Sequence, residues 1–504
     1  MNRTYRALTL LLRVLVRIFF RRVEILGLEH LPASGGGLLV AWHPNGLVDP
    51  AVVLAHCPRR VVIGARHGLF QVPLLGALMR RLGCVPIYRA IDQSPDGDET
   101  ARRAANRRSL DAMARAVADG SLALLFPEGD SHDHPHPLAL KYGAARLYLR
   151  ARELMREQAE GSATAPAPVI VPVGLHYDRK QVFGSRALMA VHPPLELPAE
   201  LVEPLPPRAS DDERRAQVAR LTEALERVLE EVVHATDSWE LNRLMHRARR
   251  LVRAERARRA GTVLHRPSMA ERMLGFARLW AGYRERVSTH PEETRALMER
   301  IRGYDEELRA LGLSDSDLEK GPPLHVLTSV LNLAGQLLLV YLLLPPLLIV
   351  GYAVNLPTAV GLQMLARRTA KRFKDEATIK LLVGALAFPA TWLLASVLVA
   401  WGERHLSVLF PNFPDAPIWT GALAFALCAL GGLVALHYSR LLAVTRRAVR
   451  VRLTRTRRRS ALEHLRQERA RLHDAILELA VGLDLPGLVA PDGRILAREG
   501  RAGA

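Results

Sequence analysis

Cysteine is scarce. Cys57, Cys84 and Cys428 lie scattered over 504 residues, which leaves neither a disulfide framework nor a Cys-x-x-Cys metal spacing. The three thiols fit a reducing compartment. Lysine is scarcer than the charge suggests: six of the 70 basic residues are lysine and the rest are arginine. Against 51 acidic residues the formal net charge is +19. Guanidinium forks match phosphate oxygens, so this bias suits anionic substrates or an anionic membrane. No nucleic-acid-binding module accompanies the charge, and no nucleic-acid partner is expected. No internal repeat stands out. A cleavable signal is not expected either, because Arg6, Arg13 and Arg17 break the apolar stretch from Tyr5 to Phe20.

What is present begins with that stretch. Arg3, Arg6, Arg13, Arg17 and Arg21 fall near one helical stripe, and Leu8, Leu11, Leu12, Val14, Leu15, Ile18 and Phe19 fill the rest. Residues 1–22 read as a basic amphipathic helix lying in an anionic membrane surface. Residues 23–200 alternate short apolar runs with helical stretches. Strands are expected at 37–42, 60–64, 83–88, 122–126, 169–175 and 188–192, and a helix over 99–118. This pattern predicts an α/β domain with a largely parallel sheet. A boundary rich in Pro and acidic residues follows at 198–211. Residues 201–323 read as a charged helical connector, 324–439 as an α-helical transmembrane region, and 440–504 as a basic helical tail.

Within the transmembrane region, 324–365 is apolar with interruptions, and 381–401 and 417–438 each approach the roughly 20 residues that span a bilayer. Arg367, Arg368, Lys371, Arg372, Lys374 and Lys380 follow the first run, and Arg440, Arg446, Arg447 and Arg450 follow the last. The positive-inside rule puts both clusters in the cytosol and 402–416 outside. With the catalytic domain also on the cytosolic side of a multi-pass cytoplasmic-membrane protein, 324–365 must enter and return, turning at Pro345-Pro346 or at Asn355-Leu-Pro357; the alternative is one tilted span with the catalytic domain on the opposite side. The dense arginine run from Arg450 to Arg459 reads as a headgroup-binding segment.

Four short motifs carry the chemistry. His43-Pro-Asn-Gly-Leu-Val-Asp49 places a histidine after a buried strand and a carboxylate beyond a turn. The first suits a general base, and the second suits the group that holds its tautomer. Asp49 before Pro50 equally suits the start of a helix. Gly83-Cys-Val-Pro-Ile-Tyr-Arg89 delivers an arginine suited to bidentate phosphate contact. Phe126-Pro-Glu-Gly129 puts Glu128 and Gly129 at the sheet edge, where Glu128 can bind a substrate hydroxyl and backbone N–H groups can face an anion. Ile170-Val-Pro-Val-Gly174 is a strand interrupted by Pro172, a pattern also found in edge strands with a bulge.

In their order across residues 40–175, these motifs resemble the glycerolipid acyltransferase family, which includes glycerol-3-phosphate and 1-acylglycerol-3-phosphate acyltransferases. The resemblance covers roughly the first 200 residues. Five residues separate His43 from Asp49 where the family usually has four. The longer spacing, the run Asp130-Ser-His-Asp133 and the run Leu140-Lys-Tyr-Gly-Ala-Ala-Arg146 resemble a fungal-type subgroup acting on glycerol-3-phosphate or dihydroxyacetone phosphate. The resemblance implies that His43 is the general base and Asp49 its orienting partner. It implies that Arg89, Glu128 and Gly129 bind the glycerol-phosphate acceptor, with Lys141 and Arg146 as further phosphate contacts, and that Pro172 shapes the acyl-donor side. Acyl-CoA or acyl carrier protein is the expected donor, and no cofactor or metal is expected. Two readings of other classes compete. His132-Asp-His-Pro-His136 has ligand types for a metal-dependent hydrolase, and the large helical half suits a non-catalytic membrane scaffold.

Overall fold

The computed structural model describes residues 3–72, 75–88, 99–159, 167–203, 205–206, 208–319, 327–369, 375–410, 415–490 and 494–497. Its centre is a seven-stranded sheet in the order β1-β7-β6-β2-β5-β3-β4. The strands are β1 (Phe20–Leu26), β2 (Gly37–Ala41), β3 (Val61–Arg66), β4 (Val85–Ile87), β5 (Leu122–Leu125), β6 (Val169–Tyr177) and β7 (Ser185–Val191). β2 through β6 pair in parallel, while β7 runs antiparallel to β6 and carries β1 along with it. The expected largely parallel sheet is thus observed. All five residues of β2 are buried, as an apolar run must be when helices cover both faces.

The helices of this part are α1 (Arg3–Phe19), α2 (Val48–His56), α3 (His67–Phe70), α4 (Leu75–Arg81), α5 (Glu99–Ala118), α6 (Gly143–Gln158) and α7 (Ala199–Val202). One sheet face packs α1 and α2 through Leu39, Ala41, Val171, Val173 and Leu175. The other packs α5, α6 and α8 (Asp211–Val233) through Leu38, Val40, Ala123 and Ile170. Two expectations are corrected here. The basic helix stops at Phe19 and residues 20–22 begin an edge strand. Helix α8 is not connector, since Leu221, Leu225 and Leu229 are buried in the sheet's own core.

α1 both packs and projects. Tyr5 Oη and Arg13 Nε bond to the backbone of Val61 and Ala55, while Leu10, Leu11, Val14 and Ile18 remain exposed beside Arg6, Arg13 and Arg17.

The connector comprises α9 (Trp239–Arg259), α10 (Met269–Thr289), α11 (Pro291–Ala310) and α12 (Asp315–Glu319). A third correction concerns the tail: α18 (Arg459–Leu479) packs against α9 and α11 through Leu462, Leu465 and Leu472, so it completes the connector. Buried histidines line the seam between connector and sheet. Burial holds the imidazole pKa of His176 down at about 3, and those of His192 and His234 at about 4. The fold keeps them neutral, so between pH 6.5 and about 4 the unfolded chain binds more protons than the native one. Stability is complete above pH 6.5 and falls as pH drops, by about 1.4 kcal/mol per unit for each histidine. The urea midpoint should therefore drop steeply between pH 7 and pH 5. A flat midpoint over that range would contradict burial of these rings.

The apolar region is a bundle of α13 (Leu327–Leu338), α14 (Leu344–Leu347), α15 (Ile349–Thr369), α16 (Asp375–Leu409) and α17 (Pro417–Arg457), with a π-helical stretch at Leu339–Leu343. α16 and α17 are long and apolar enough to cross a membrane. Their apolar side chains point outward, Leu386, Leu393, Val397, Trp401, Leu430 and Leu433 among them. The helix α17 runs unbroken to Arg457, so no boundary falls at 439, and α16 extends to Leu409, into the expected external loop.

Contacts trace the path of the first apolar run. Gln336 donates to Thr445 (2.7 Å), Tyr438 to the Val340 carbonyl (2.8 Å), and Asn355 Nδ2 to the Cys428 carbonyl (2.9 Å). That arm climbs α17 from 445 towards 428. The partners then change to α16: Trp392 Nε1 donates to Asn355 Oδ1 (2.9 Å), Thr358 pairs with Thr391 (3.2 Å), and Leu362 lies beside Gly384. The second arm descends towards Asp375. The run therefore enters and returns on one side of the bundle, its far point at Asn355, which touches both Cys428 of α17 and Trp392 of α16. That side faces the sheet, where Thr378 and Lys380 of α16 touch it.

Candidate active site

The site forms where β2 and β5 end beside each other. Trp42 fixes the exit of β2 by donating its indole N–H to the Leu175 carbonyl (2.9 Å). His43 follows, and the chain turns through Pro44, Asn45 and Gly46, with Gly46 at φ 52°. A side chain at that angle is strained, so glycine is the natural residue. The turn brings Asp49, in the first turn of α2, back onto the strand end. Leu47, not Asp49, occupies the N-cap position of α2.

Asp49 is fully buried and saturated with donors. Its Oδ2 lies 2.8 Å from His43 Nδ1 and accepts the Asn45 N–H at 2.7 Å. Its Oδ1 accepts the Tyr177 hydroxyl at 2.6 Å. Burial foremost, then the Asp49 charge, pushes the Tyr177 phenol pKa well up, so it stays a donor. A carboxylate held this way fixes the His43 proton on Nδ1 and leaves Nε2 with its lone pair. The His43 ring stacks on Phe126 of the β5 exit, centroids 4.0 Å apart, which sets its plane.

Glu128 closes the other flank. Its Oε2 accepts the His43 backbone N–H (3.3 Å) and meets His132 Nε2 (2.7 Å). Its Oε1 is buried, with no hydrogen-bond partner among the described residues. A buried carboxylate oxygen without a donor carries a desolvation cost that a ligand hydroxyl would relieve.

The turn at Gly129 (φ 74°) is closed by its N–H on the Phe126 carbonyl (3.0 Å), and the His132 N–H goes to the His43 carbonyl (3.0 Å). These backbone donors are occupied, contrary to the expectation that they face an anion. Lys141 lies against Gly129 and donates its N–H to the Pro127 carbonyl (2.7 Å). Its side chain and that of Arg146 are exposed. Pro172 is not brought here: it lies inside β6, paired with Val40, on an interior strand and not an edge. Its missing N–H costs nothing in the β7 ladder, which begins one residue later, while its carbonyl accepts from His192. Arg89 lies outside the described residues.

Three partners escaped the sequence. Tyr177 ends β6, and strand alternation with Val173 and Leu175 puts it on the Asp49 face. Lys180, in the β6–β7 turn, donates to the Pro44 carbonyl (2.7 Å) and pairs with Asp133 (2.5 Å). Thr378 accepts the Leu47 N–H (3.2 Å), so the foot of α16 braces the turn between His43 and Asp49. The histidine tract is spoken for: His132 uses both nitrogens, on Glu128 and on the His134 N–H. No three metal-ligating side chains converge among the described residues.

Tyr177→Phe should lower kcat about tenfold with little change in KM. It strands a buried carboxylate oxygen at about 1–3 kcal/mol and loosens the group that aims His43. Equal kcat for mutant and wild type in steady-state turnover would remove Tyr177 from the site.

A family model described as Acyltransferase matches residues 22–176. An uncharacterised acyltransferase of Schizosaccharomyces pombe is 24% identical, with 38% of this chain and 39% of the relative aligned. Glycerol-3-phosphate O-acyltransferase 1 of Saccharomyces cerevisiae is 24% identical, with 56% of this chain and 36% of the relative aligned. The chain thus spans less than two-fifths of either curated relative. The crystal structure of the 1-acyl-sn-glycerophosphate acyltransferase PlsC from Thermotoga maritima is 17% identical, aligning 46% of this chain and 83% of that one at a TM-score of 0.30.

Proposed function

We propose that this chain, whose residues 22–176 are an acyltransferase-family domain, transfers a fatty acyl group from acyl-CoA or acyl carrier protein to a hydroxyl of a glycerol-phosphate acceptor in phospholipid synthesis. The observation that carries the reading is His43, aimed by Asp49 through Nδ1 at 2.8 Å, beside the partnerless Glu128 Oε1.

The acceptor hydroxyl gives its proton to His43 Nε2 as its oxygen bonds the thioester carbonyl carbon. The tetrahedral intermediate collapses with cleavage of the C–S bond, and the leaving thiolate takes up a proton. His43 returns to neutral. Asp49 stabilises the transient imidazolium, as in other oriented histidine bases. A second acceptor hydroxyl donates to Glu128 Oε1 and fixes the reacting one. Gly129 keeps the turn tight beneath Lys141, which with Arg146 and Arg89 supplies positive charge for the acceptor phosphate. Pro172 stiffens the strand behind the donor side. This scheme needs no acyl-enzyme, cofactor or metal.

The membrane is where the chemistry belongs. The outward apolar faces of α16 and α17 suit a bilayer, and the exposed leucines and arginines of α1 suit its anionic surface. The return of both apolar arms towards the sheet supports a catalytic domain on the cytosolic side of a multi-pass protein.

The favoured acceptor is glycerol-3-phosphate, acylated at sn-1. The five-residue His–Asp spacing supports this choice, as does the name of the budding-yeast relative. The test offers glycerol-3-phosphate and 1-acylglycerol-3-phosphate in parallel, each with acyl-CoA and acyl carrier protein donors, to detergent-purified protein. Higher kcat/KM on glycerol-3-phosphate is the expected result. Preference for the acylated acceptor would reassign the hydroxyl, and turnover of neither would overturn the acceptor class.

A further inference from the structure

A second basic site lies away from His43, at the foot of the apolar hairpin. A cavity of about 800 Å³ opens between the end of α11, the first arm of the hairpin and the last turns of α17. One wall, from α11 and the hairpin, is apolar: Leu311, Leu337 and Tyr341. The other is cationic: Arg446, Arg450, Arg457 and Arg458. Arg446, Arg450, Leu453 and Arg457 follow one another at four, three and four residues, so α17 presents them on one face. Among the described residues, no acidic side chain lines the cavity.

The pairing of these arginines separates a site from a decorated helix end. Basic residues at a helix C-terminus are favourable on their own, which explains their presence but neither the cavity nor the pattern of partners. Arg447, one residue off the face, is anchored to Asp317 (2.6 Å) and Ser314 (2.7 Å). Among the described residues, Arg446 reaches only the Tyr341 hydroxyl, at 3.4 Å. Among the described residues, Arg450, Arg457 and Arg458 have no carboxylate or hydrogen-bond partner, and all three are exposed. Three gathered guanidinium groups without counter-charge are what a phosphate needs.

The apolar wall says which phosphate. Leu337 and Tyr341 continue into Leu338, Leu339, Leu342 and Leu343 of the hairpin, whose side chains are 43–62% exposed and face outward with the rest of the bundle. A ligand entering from that side brings hydrocarbon with it. We infer that this groove binds an anionic phospholipid, its phosphate headgroup on Arg450, Arg457 and Arg458 and its acyl chains along the hairpin. The site is separate from the catalytic one yet shares a rigid element with it. Arg440, ten residues and about 15 Å up α17, packs its guanidinium over Gly184 in the turn that carries Lys180.

The test is binding, not turnover. Full-length protein in detergent is titrated with short-chain phosphatidic acid, with phosphatidylcholine of the same chains, and with inorganic phosphate. Saturable binding of phosphatidic acid is expected, with little binding of the other two. Arg450→Gln/Arg457→Gln/Arg458→Gln should raise its Kd by at least about tenfold. A charge-matched triple variant elsewhere, Arg284→Gln/Arg295→Gln/Arg471→Gln, should leave it unchanged. Leu453→Trp, which fills the groove and keeps the charges, should weaken binding too and serves if the arginine triple does not fold. Equal weakening by the distant triple would reduce the effect to net charge and overturn the site. Inorganic phosphate binding as tightly as the lipid would overturn the lipid assignment.

Discussion

Asp49→Asn is expected to lower kcat by about 10³–10⁴-fold while leaving KM within a few-fold, the scale seen when an oriented histidine base loses its carboxylate. The geometry gives the reason. Oδ2 receives both the His43 ring and the Asn45 N–H, and Oδ1 receives Tyr177. Three donors converge on two acceptor oxygens. An asparagine has one acceptor oxygen and brings two donors of its own. If its oxygen keeps Tyr177, its NH2 faces the Asn45 N–H and turns His43 to the tautomer protonated on Nε2, which cannot accept the acceptor proton. If its oxygen keeps Asn45, its NH2 meets the Tyr177 hydroxyl, whose own buried O–H then loses its acceptor. Steady-state kinetics decide: a loss in KM with kcat preserved would make Asp49 a structural residue only.

Arg469→Ala is expected to cost about 3–5 kcal/mol of stability, the scale for removing one partner of a buried ion pair. Arg469 on α18 is wholly buried. Its Nε donates to Glu255 Oε2 (3.0 Å), one terminal nitrogen donates to the Asp315 carbonyl (3.2 Å), and the other meets Glu319. Glu255 on α9 is equally buried. Burial works to raise its pKa, but hydrogen bonds from Arg258 and Arg259 and the Arg469 charge hold it at about 2. The guanidinium thus bolts α18 to α9 and α12. Urea unfolding with a global probe should show the loss, and Arg469→Met/Glu255→Met should recover most of it, since the charges then left over, Arg258, Arg259 and Glu319, all reach water. A change below about 1 kcal/mol in the alanine variant would mean that water reaches this network.

The sequence was most readable where local chemistry decides structure. Leu38 to Ala41 is apolar on both faces, so it is an interior strand, and the histidine after it stands at a sheet edge. Asn45-Gly46 marks the turn that returns Asp49, and Phe126-Pro127 marks the end of β5. Edge and long-range relations were not readable. β1 hid because the consecutive Arg21 and Arg22, with Glu24, break the strand alternation of its apolar residues, and it pairs with β7 alone. α8 read as connector because its charged face outweighs the few leucines that reach the sheet. Tyr177 stands 128 residues from Asp49, and only the β6 register brings them together. The backbone donors after Pro127 suggested an anion site, but the turn that carries Glu128 uses the Gly129 and His132 N–H groups internally. Composition revealed the apolar run, whereas the partners along α17 and α16 define its return.

The central claim is that His43 takes the acceptor proton. The direct measurement is acyl transfer to glycerol-3-phosphate by purified wild-type protein and His43→Ala, with unfolding midpoints matched to show that both are folded. The expected result is turnover by the wild type and a loss of at least about 10³-fold in the variant, since general-base catalysis contributes about 10²–10⁴-fold and positioning is lost with it. Turnover by His43→Ala at near wild-type rate would contradict the account and move the chemistry to another group.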